Sequence, residues 1–340
     1  MKLNDRLTIR KISWGIVIAL FFSVVLSACG ATGIETAEPV AATEEAVVPA
    51  EPMSLKLALI PVLDSLPVYV AQQEGLFDKH GLQVEVIPVP SAPERDQIIS
   101  AEQADGMVNE ILSTQLYNKD DTRIQIVRFA RTATADSALF RILASGNSGI
   151  ETADGLKGVD IGISEGTVIE YLTNRLLQEK GFQPDEIKTI PVPKISERMA
   201  LLGTGELKAA MLPEPLSSLA VQSGARVVLD DTIKPEISNS VYSFRKAAIE
   251  QNPDAIRAFL TAIEEAVALI NADPQKYSNL LVEQKIVPAP LAGSFQVPQF
   301  VTAGVPTQAQ WEDVLAWAKE TGIISTDVSY QDSVTDSYLP

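Results

Sequence analysis

Between residues 55 and 230 the chain alternates short apolar runs with stretches of helical spacing, and it does so twice. No other feature limits the fold as much, because strands that alternate with helices build parallel sheets covered by helices. The first round opens with Leu55-Lys56-Leu57-Ala58-Leu59-Ile60, ended by Pro61. A helical pattern follows over 65–79, then strands at 82–87 and 105–108 with a helix between them. Ser91, Pro93 and Glu94 open that helix as a capping box, with serine at the cap and proline in the first turn. A helix at 111–117 and strands at 124–129 and 138–144 complete the round. The second round reads strand 159–163, a helix opened by Thr167 and Glu170 and ended by Gly181, then strand 187–192. Helix 195–202, strand 208–212, helix 216–222 and strand 226–229 follow.

Beyond residue 229 the pattern changes. One strand at 241–245 is followed by helices, with Asn252 and Pro253 opening a long one whose apolar face carries Ile256, Phe259, Ile263 and Ile270. A last helix covers 308–321, and the polar stretch 328–340 is expected to be partly disordered. A helical section with little sheet of its own must pack on an existing layer. The expected architecture is therefore two α/β lobes, each a mainly parallel sheet flanked by helices. Lobe 1 is 54–145 with 231–327, lobe 2 is 146–230, and hinges lie near 144–146 and 229–231.

The first 53 residues read differently. Lys2, Arg6, Arg10 and Lys11 precede an apolar segment at 12–26, a basic-then-apolar pattern that marks 1–28 as an export signal. That segment is short for a spanning helix, which needs about 20 residues. Its ending, Leu26-Ser27-Ala28-Cys29, resembles the lipobox of bacterial lipoproteins, which implies a diacylglycerol on the Cys29 thiol. Residues 29–53 then form an acidic, proline-bearing linker with no sustained apolar period.

Charge narrows the function. The formal net charge is −17, and the leader holds four basic residues against one acid, so the chain without it carries −20. Such a body does not neutralise phosphates, so nucleic acid is not an expected partner. It is also repelled by anionic lipid heads, so membrane attachment falls to Cys29. Cys29 is the only cysteine and His80 the only histidine. Thiolate catalysis, disulfides and Cys/His metal sites are thereby excluded, and no catalytic residue, metal or cofactor is expected. There is no G-x-x-x-x-G-K-[ST] loop, so any ATP hydrolysis belongs to a partner.

Several dispersed motifs carry a family resemblance. Residues 66–82, LPVYVAQQEGLFDKHGL, with Ala71, Glu74, Gly75, Phe77, Gly81, Leu82 and then Val84, resemble the opening of bacterial ABC-transporter solute-binding proteins. The branch is that of aliphatic sulfonates, taurine, nitrate and the pyrimidine precursor of thiamine. Asp105-Gly106, Leu156-Lys157-Gly158 and Gly162-Ile163-Ser164 match it further along. The resemblance implies a periplasmic-binding-protein fold, a small-molecule ligand between the lobes, and a permease with its ATPase as partners. It further implies a monomer held at the extracytoplasmic face of a membrane. Enzymes and sensor subunits resemble the same fold, and they remain the alternative classes.

In open parallel sheets ligands sit outside the carboxyl ends of the strands. That rule selects Asp64, Ser65 and Leu66 after the first strand, Asn109 and Glu110 after the third, and Thr132 and Ser137 on the crossing strands. In the second lobe it selects Ser164, Glu165, Gly166 and Thr167, whose free N–H groups at a helix start suit an oxyanion or carbonyl. Glu214, set between Pro213 and Pro215, is a candidate acceptor for a ligand N–H. Arg95 reads as a solvated surface cation, His80 as a surface cation at a helix end, and Tyr69, Tyr171 and Tyr242 as core. Carboxylates outnumber cations among these positions, and unpaired carboxylates facing an anion are costly. The balance favours a small heteroaromatic or amino-bearing ligand, such as a thiamine-precursor pyrimidine, over sulfonate, taurine or nitrate.

Overall fold

Among the described residues, ten strands fall into two separate five-stranded sheets. The computed structural model describes residues 53–340, so the expected leader, Cys29 and the expected linker up to 52 lie outside it. The first sheet contains β1 (Met53–Leu59), β2 (Leu82–Pro88), β3 (Gly106–Asn109) and β4 (Ile124–Thr132). The second contains β5 (Phe140–Ala144), β6 (Asp160–Ile163), β7 (Lys188–Pro191), β8 (Ala209–Pro213) and β9 (Arg226–Asp230). The chain then returns to the first sheet as β10 (Asn239–Arg245). The orders are β2-β1-β3-β10-β4 and β7-β6-β8-β5-β9. In each sheet one strand runs against its neighbours: β10 lies antiparallel between β3 and β4, and β5 antiparallel between β8 and β9.

The helices that connect the first sheet are α1 (Leu66–Gln73), α2 (Leu76–Lys79), α3 (Ala92–Ser100) and α4 (Ile111–Asn118). Gly75, at φ 66°, divides α1 from α2, so the single helix expected over 65–79 is two. In the second set come α5 (Val168–Glu179), α6 (Ile195–Thr204) and α7 (Leu216–Gln222). After β10 follow α8 (Lys246–Gln251), α9 (Pro253–Ala272), α10 (Ser278–Glu283), α11 (Gln308–Glu320) and α12 (Tyr330–Ser333). No helix among the described residues is long and apolar enough to cross a membrane.

Packing explains the sheet order. Strands β3 and β8 are buried along their whole length, as strands covered on both faces must be. A Cβ on Gly106 would lie 2.4 Å from Cδ1 of Phe244, so glycine alone lets β3 sit this close to β10. The apolar stripe of α9 covers the first sheet. Its Phe259 stacks on Phe77 at 5.7 Å and meets Tyr242 and Phe244 edge-on. A second apolar core joins the two sheets: Ile111 and Ile126 from one side meet Ile142 and Ile161 from the other, with Trp311 and Trp317 of α11 among them. Helix α11 packs against both α4 and α5, not on the first lobe alone.

Two expectations are corrected. The expected first lobe runs to residue 145 with a hinge at 144–146, but β5 pairs with β8 and β9. The first crossing therefore lies between Thr132 and Phe140, and the second between Asp230 and Asn239. An apolar run does not disclose which sheet it joins, and β4 and β5 follow each other with little between them. The tail at 328–340 is ordered. Val328 accepts a hydrogen bond from Trp311 Nε1 at 3.0 Å, Ser329 caps α12, and Thr335 N donates to Ile126 O at 2.9 Å. The tail thus covers the open edge of β4, a place where an uncovered strand invites unwanted pairing.

Candidate functional site

The carboxyl ends of β1, β3, β6 and β8 converge on a partly open cavity of about 90 Å³. Asp64, Asn109 and Glu110 line it from the first sheet, and Ser164, Thr167 and Glu214 from the second. Leu139 and Phe140 reach it from the first crossing and Asn239 and Ser240 from the second. The other six candidates do not line it. Ser65 turns back to donate to Val62 O at 2.7 Å, and Leu66 is fully buried in the core. Thr132 ends β4 opposite Asn239, and Ser137 lines an outer hollow with Arg131 and Arg141 that shares Glu214 with the cavity. Glu165 is exposed at the turn tip, and Gly166 stands beside it with φ +67°.

The turn after β6 is built differently from the expectation. Gly166 N donates to Glu170 Oε2 at 2.7 Å, so this N–H is not free for an anion. Thr167 Oγ1 accepts from Ile169 N at 3.2 Å and donates to Ser164 O at 2.7 Å. A Cβ at Gly166 would meet nothing within 4 Å, so the glycine serves the left-handed backbone and does not keep space clear.

Pairing removes two of the carboxylates from consideration. Asp64 binds Arg131 at 3.1 Å. Glu110 receives both Arg95 Nη1 and Nη2, at 3.1 and 3.3 Å, while Arg95 Nε binds Asp96 at 2.8 Å. Arg95 is 2% exposed, so it is a buried partner and not the solvated cation expected. Burial alone would lower its guanidinium, but Asp96 and Glu110 reverse the sign and raise it. A helix position three residues before Ile98 looked like surface; the acid that claims it comes from the end of β3.

What remains unsatisfied is informative, since buried polar atoms are ordinarily bonded. Four groups of the cavity wall have polar atoms with no partner among the described residues: Arg198 Nε and Nη2, Glu214 Oε2, Ser164 Oγ and Ser240 Oγ. Glu214 Oε1 accepts from Ser217 Oγ and pairs with Arg141, leaving the other oxygen over. Arg198 is fully buried, donates only Nη1 to Val192 O at 2.8 Å, and has no carboxylate partner among the described residues. Burial lowers its pKa to about 10, so the guanidinium is still charged at neutral pH. Its Nε and Nη2 form the side-on fork that matches an oxyanion.

Sequence reading missed Arg198, although a signal was present. Positions 195, 198, 199 and 202 share one face of α6, and three of them are Ile195, Met199 and Leu202. An arginine on an apolar face either is paired or waits for a partner.

Two sheets of mixed strands meeting at a largely apolar cavity with a few buried polar groups in its wall define a two-lobed fold of the periplasmic-binding-protein type. The chain belongs to the NMT1/THI5 like family, whose sequence pattern matches residues 63–277. A protein of Brucella abortus, named only as a binding protein, is 24% identical over 245 residues, covering 66% of this chain and 74% of that one. A nitrate/nitrite binding protein of Nostoc is 23% identical, covering 64% of this chain and 53% of that one. Among solved structures, the alkanesulfonate-binding protein of Xanthomonas axonopodis superimposes with a TM-score of 0.70 at 16% identity, covering 84% of this chain and 99% of that one. The desulfurization enzyme DSZB superimposes at 0.66 with 13% identity, covering 84% and 97%, so the fold also carries catalysis elsewhere.

Proposed function

We propose that this chain is an extracytoplasmic solute receptor, not an enzyme, that hands a small molecule to an ABC importer. The observation that carries the reading is the set of unpartnered buried groups converging on one cavity. Such groups cost stability unless a ligand or ordered water completes them. Relatives and structural neighbours named for nitrate, sulfonate and other binding support it. The only histidine, His80, binds Glu265 at 2.9 Å and lines no part of the cavity.

The cavity also directs the ligand. With Asp64 and Glu110 neutralised, the groups left are one guanidinium, one carboxylate oxygen and two hydroxyls. They call for a dipolar solute, with an acid group on Arg198 and an N–H on Glu214. A neutral pyrimidine offers no acid group to Arg198, whereas a compact amino-bearing acid matches both ends. A thermal-shift panel with 2-aminoethanesulfonate, ethanesulfonate, ethylamine, nitrate and an aminopyrimidine tests this. The amino-bearing acid is expected to raise the melting temperature most. Equal shifts from ethanesulfonate alone would overturn the dipolar assignment, and no shift from any would count against the receptor reading.

The anchor belongs to the same proposal. Replacing Cys29 by serine is expected to abolish incorporation of labelled fatty acid and to release any processed chain in soluble form. Label retained on the Cys29→Ser protein would contradict lipidation at this site.

A further inference from the structure

We propose that Asp231 is a positioning residue that latches the two crossing segments together and so holds the hinge-side wall of the cavity. Asp231 directly follows β9 and is fully buried. Its carboxylate accepts the N–H groups of Leu139 and Phe140, each at 3.0 Å, at the end of the first crossing. It also accepts the hydroxyl of Ser238, at 2.5 Å, at the end of the second. Ser238 O in turn accepts Ala133 N at 2.9 Å, which ties the start of the first crossing to the same point. One side chain thus gathers both connections between the sheets. Leu139 and Phe140, and Asn239 and Ser240 just beyond Ser238, line the cavity. Capping does not account for Asp231, because Asp230 already caps this turn through Thr232 N at 3.1 Å.

Among the described residues no cation pairs with the latch. Around it, Arg141 of β5 is engaged by Glu214 and Ser218, and Lys234 is paired with Glu179 at 2.9 Å. Asp230 and Glu236 are themselves acidic. Burial, with a smaller push from Asp230, raises Asp231 to about 6 from 3.8, against the pull of its hydrogen bonds. The sign follows from linkage. The latched state holds a proton more firmly than a hydrated carboxylate does, so the latch is tightest below about pH 4 and loosens as pH rises through 6. Ser238 can accept as well as donate, so the protonated acid keeps a partner. Ionised Asp231 gains hydration when the segments part, which poises the crossing to open near neutral pH.

Amide hydrogen exchange on the full chain, corrected for intrinsic rates, reads this without any solute. Protection at Leu139 and Phe140 is expected to fall about a hundredfold between pH 4 and 7.5. In Asp231→Asn, which carries no charge at any pH, the dependence should vanish. A flat profile in the unaltered protein, or the same profile in Asp231→Asn, would overturn the proposal. Should that variant fail to fold, the carboxyl carbon resonance of Asp231 decides. Titration in step with the protection change supports the latch, and titration elsewhere overturns it. Neither result bears on the receptor reading, which the solute panel tests separately.

Discussion

Replacing Arg198 by methionine is expected to weaken solute binding by about 2–5 kcal/mol, the usual range when one partner of a buried charged contact is removed. In affinity that is roughly thirtyfold to several thousandfold. The unliganded protein should respond in the opposite sense, or hardly at all. Arg198 is fully buried with one hydrogen bond and no counter-charge, so methionine removes a desolvation cost and forfeits only the contact to Val192 O. These two terms offset to within about 1 kcal/mol. A residue that merely filled space would lose stability and affinity together. Arg198→Lys keeps the charge without the side-on fork and should fall between the two. Calorimetry with 2-aminoethanesulfonate, beside denaturant unfolding without it, separates the cases. Undiminished affinity in Arg198→Met would remove the oxyanion end from this position.

The second large effect concerns stability. Trp317→Ala should cost about 3–5 kcal/mol, as large aromatic truncations in cores do. Trp317 is 1% exposed and meets Tyr171 edge-on at 5.4 Å, while Tyr171 donates to Asp313 of the same helix at 2.5 Å. The loss falls where the cores of the two sheets meet, so the contribution is to their joining as much as to α11 itself. Against a total of about 5–15 kcal/mol, it should lower the melting temperature by roughly 10 °C. A cost under 1 kcal/mol by denaturant titration would show that the two cores hold without it.

How much of this was legible in the chain differs by level. Strand and helix identities follow from periodicity and caps: Ser91 and Thr167 do cap α3 and α5. Sheet membership does not, because an apolar segment such as β5 has the same pattern in either sheet. The edge of β4 that the tail covers is likewise a property of strand order, so the order of residues 328–340 had no local sign. At the site, the rule about strand ends brought out Asp64, Asn109, Glu110, Ser164, Thr167 and Glu214, all of which line the cavity. Charge was misjudged for another reason. Whether a carboxylate is free depends on distant partners, as Arg131 for Asp64 and Arg95 for Glu110 show. Counting acids along a sequence counts both halves of such pairs as if they were independent. The correction moves the electrostatics of the site from an excess of acids to one cation and one shared carboxylate.

Helix α11 has a mechanical consequence. It is wedged between α4 and α5, with Trp311 and Trp317 in the core that both sheets share. A solid seam along one side leaves few modes of motion. Sliding one sheet over the other would shear that seam, whereas rotation about it leaves the packing whole. Rotation about that seam, like a clam with a fused back, is therefore the motion this packing permits.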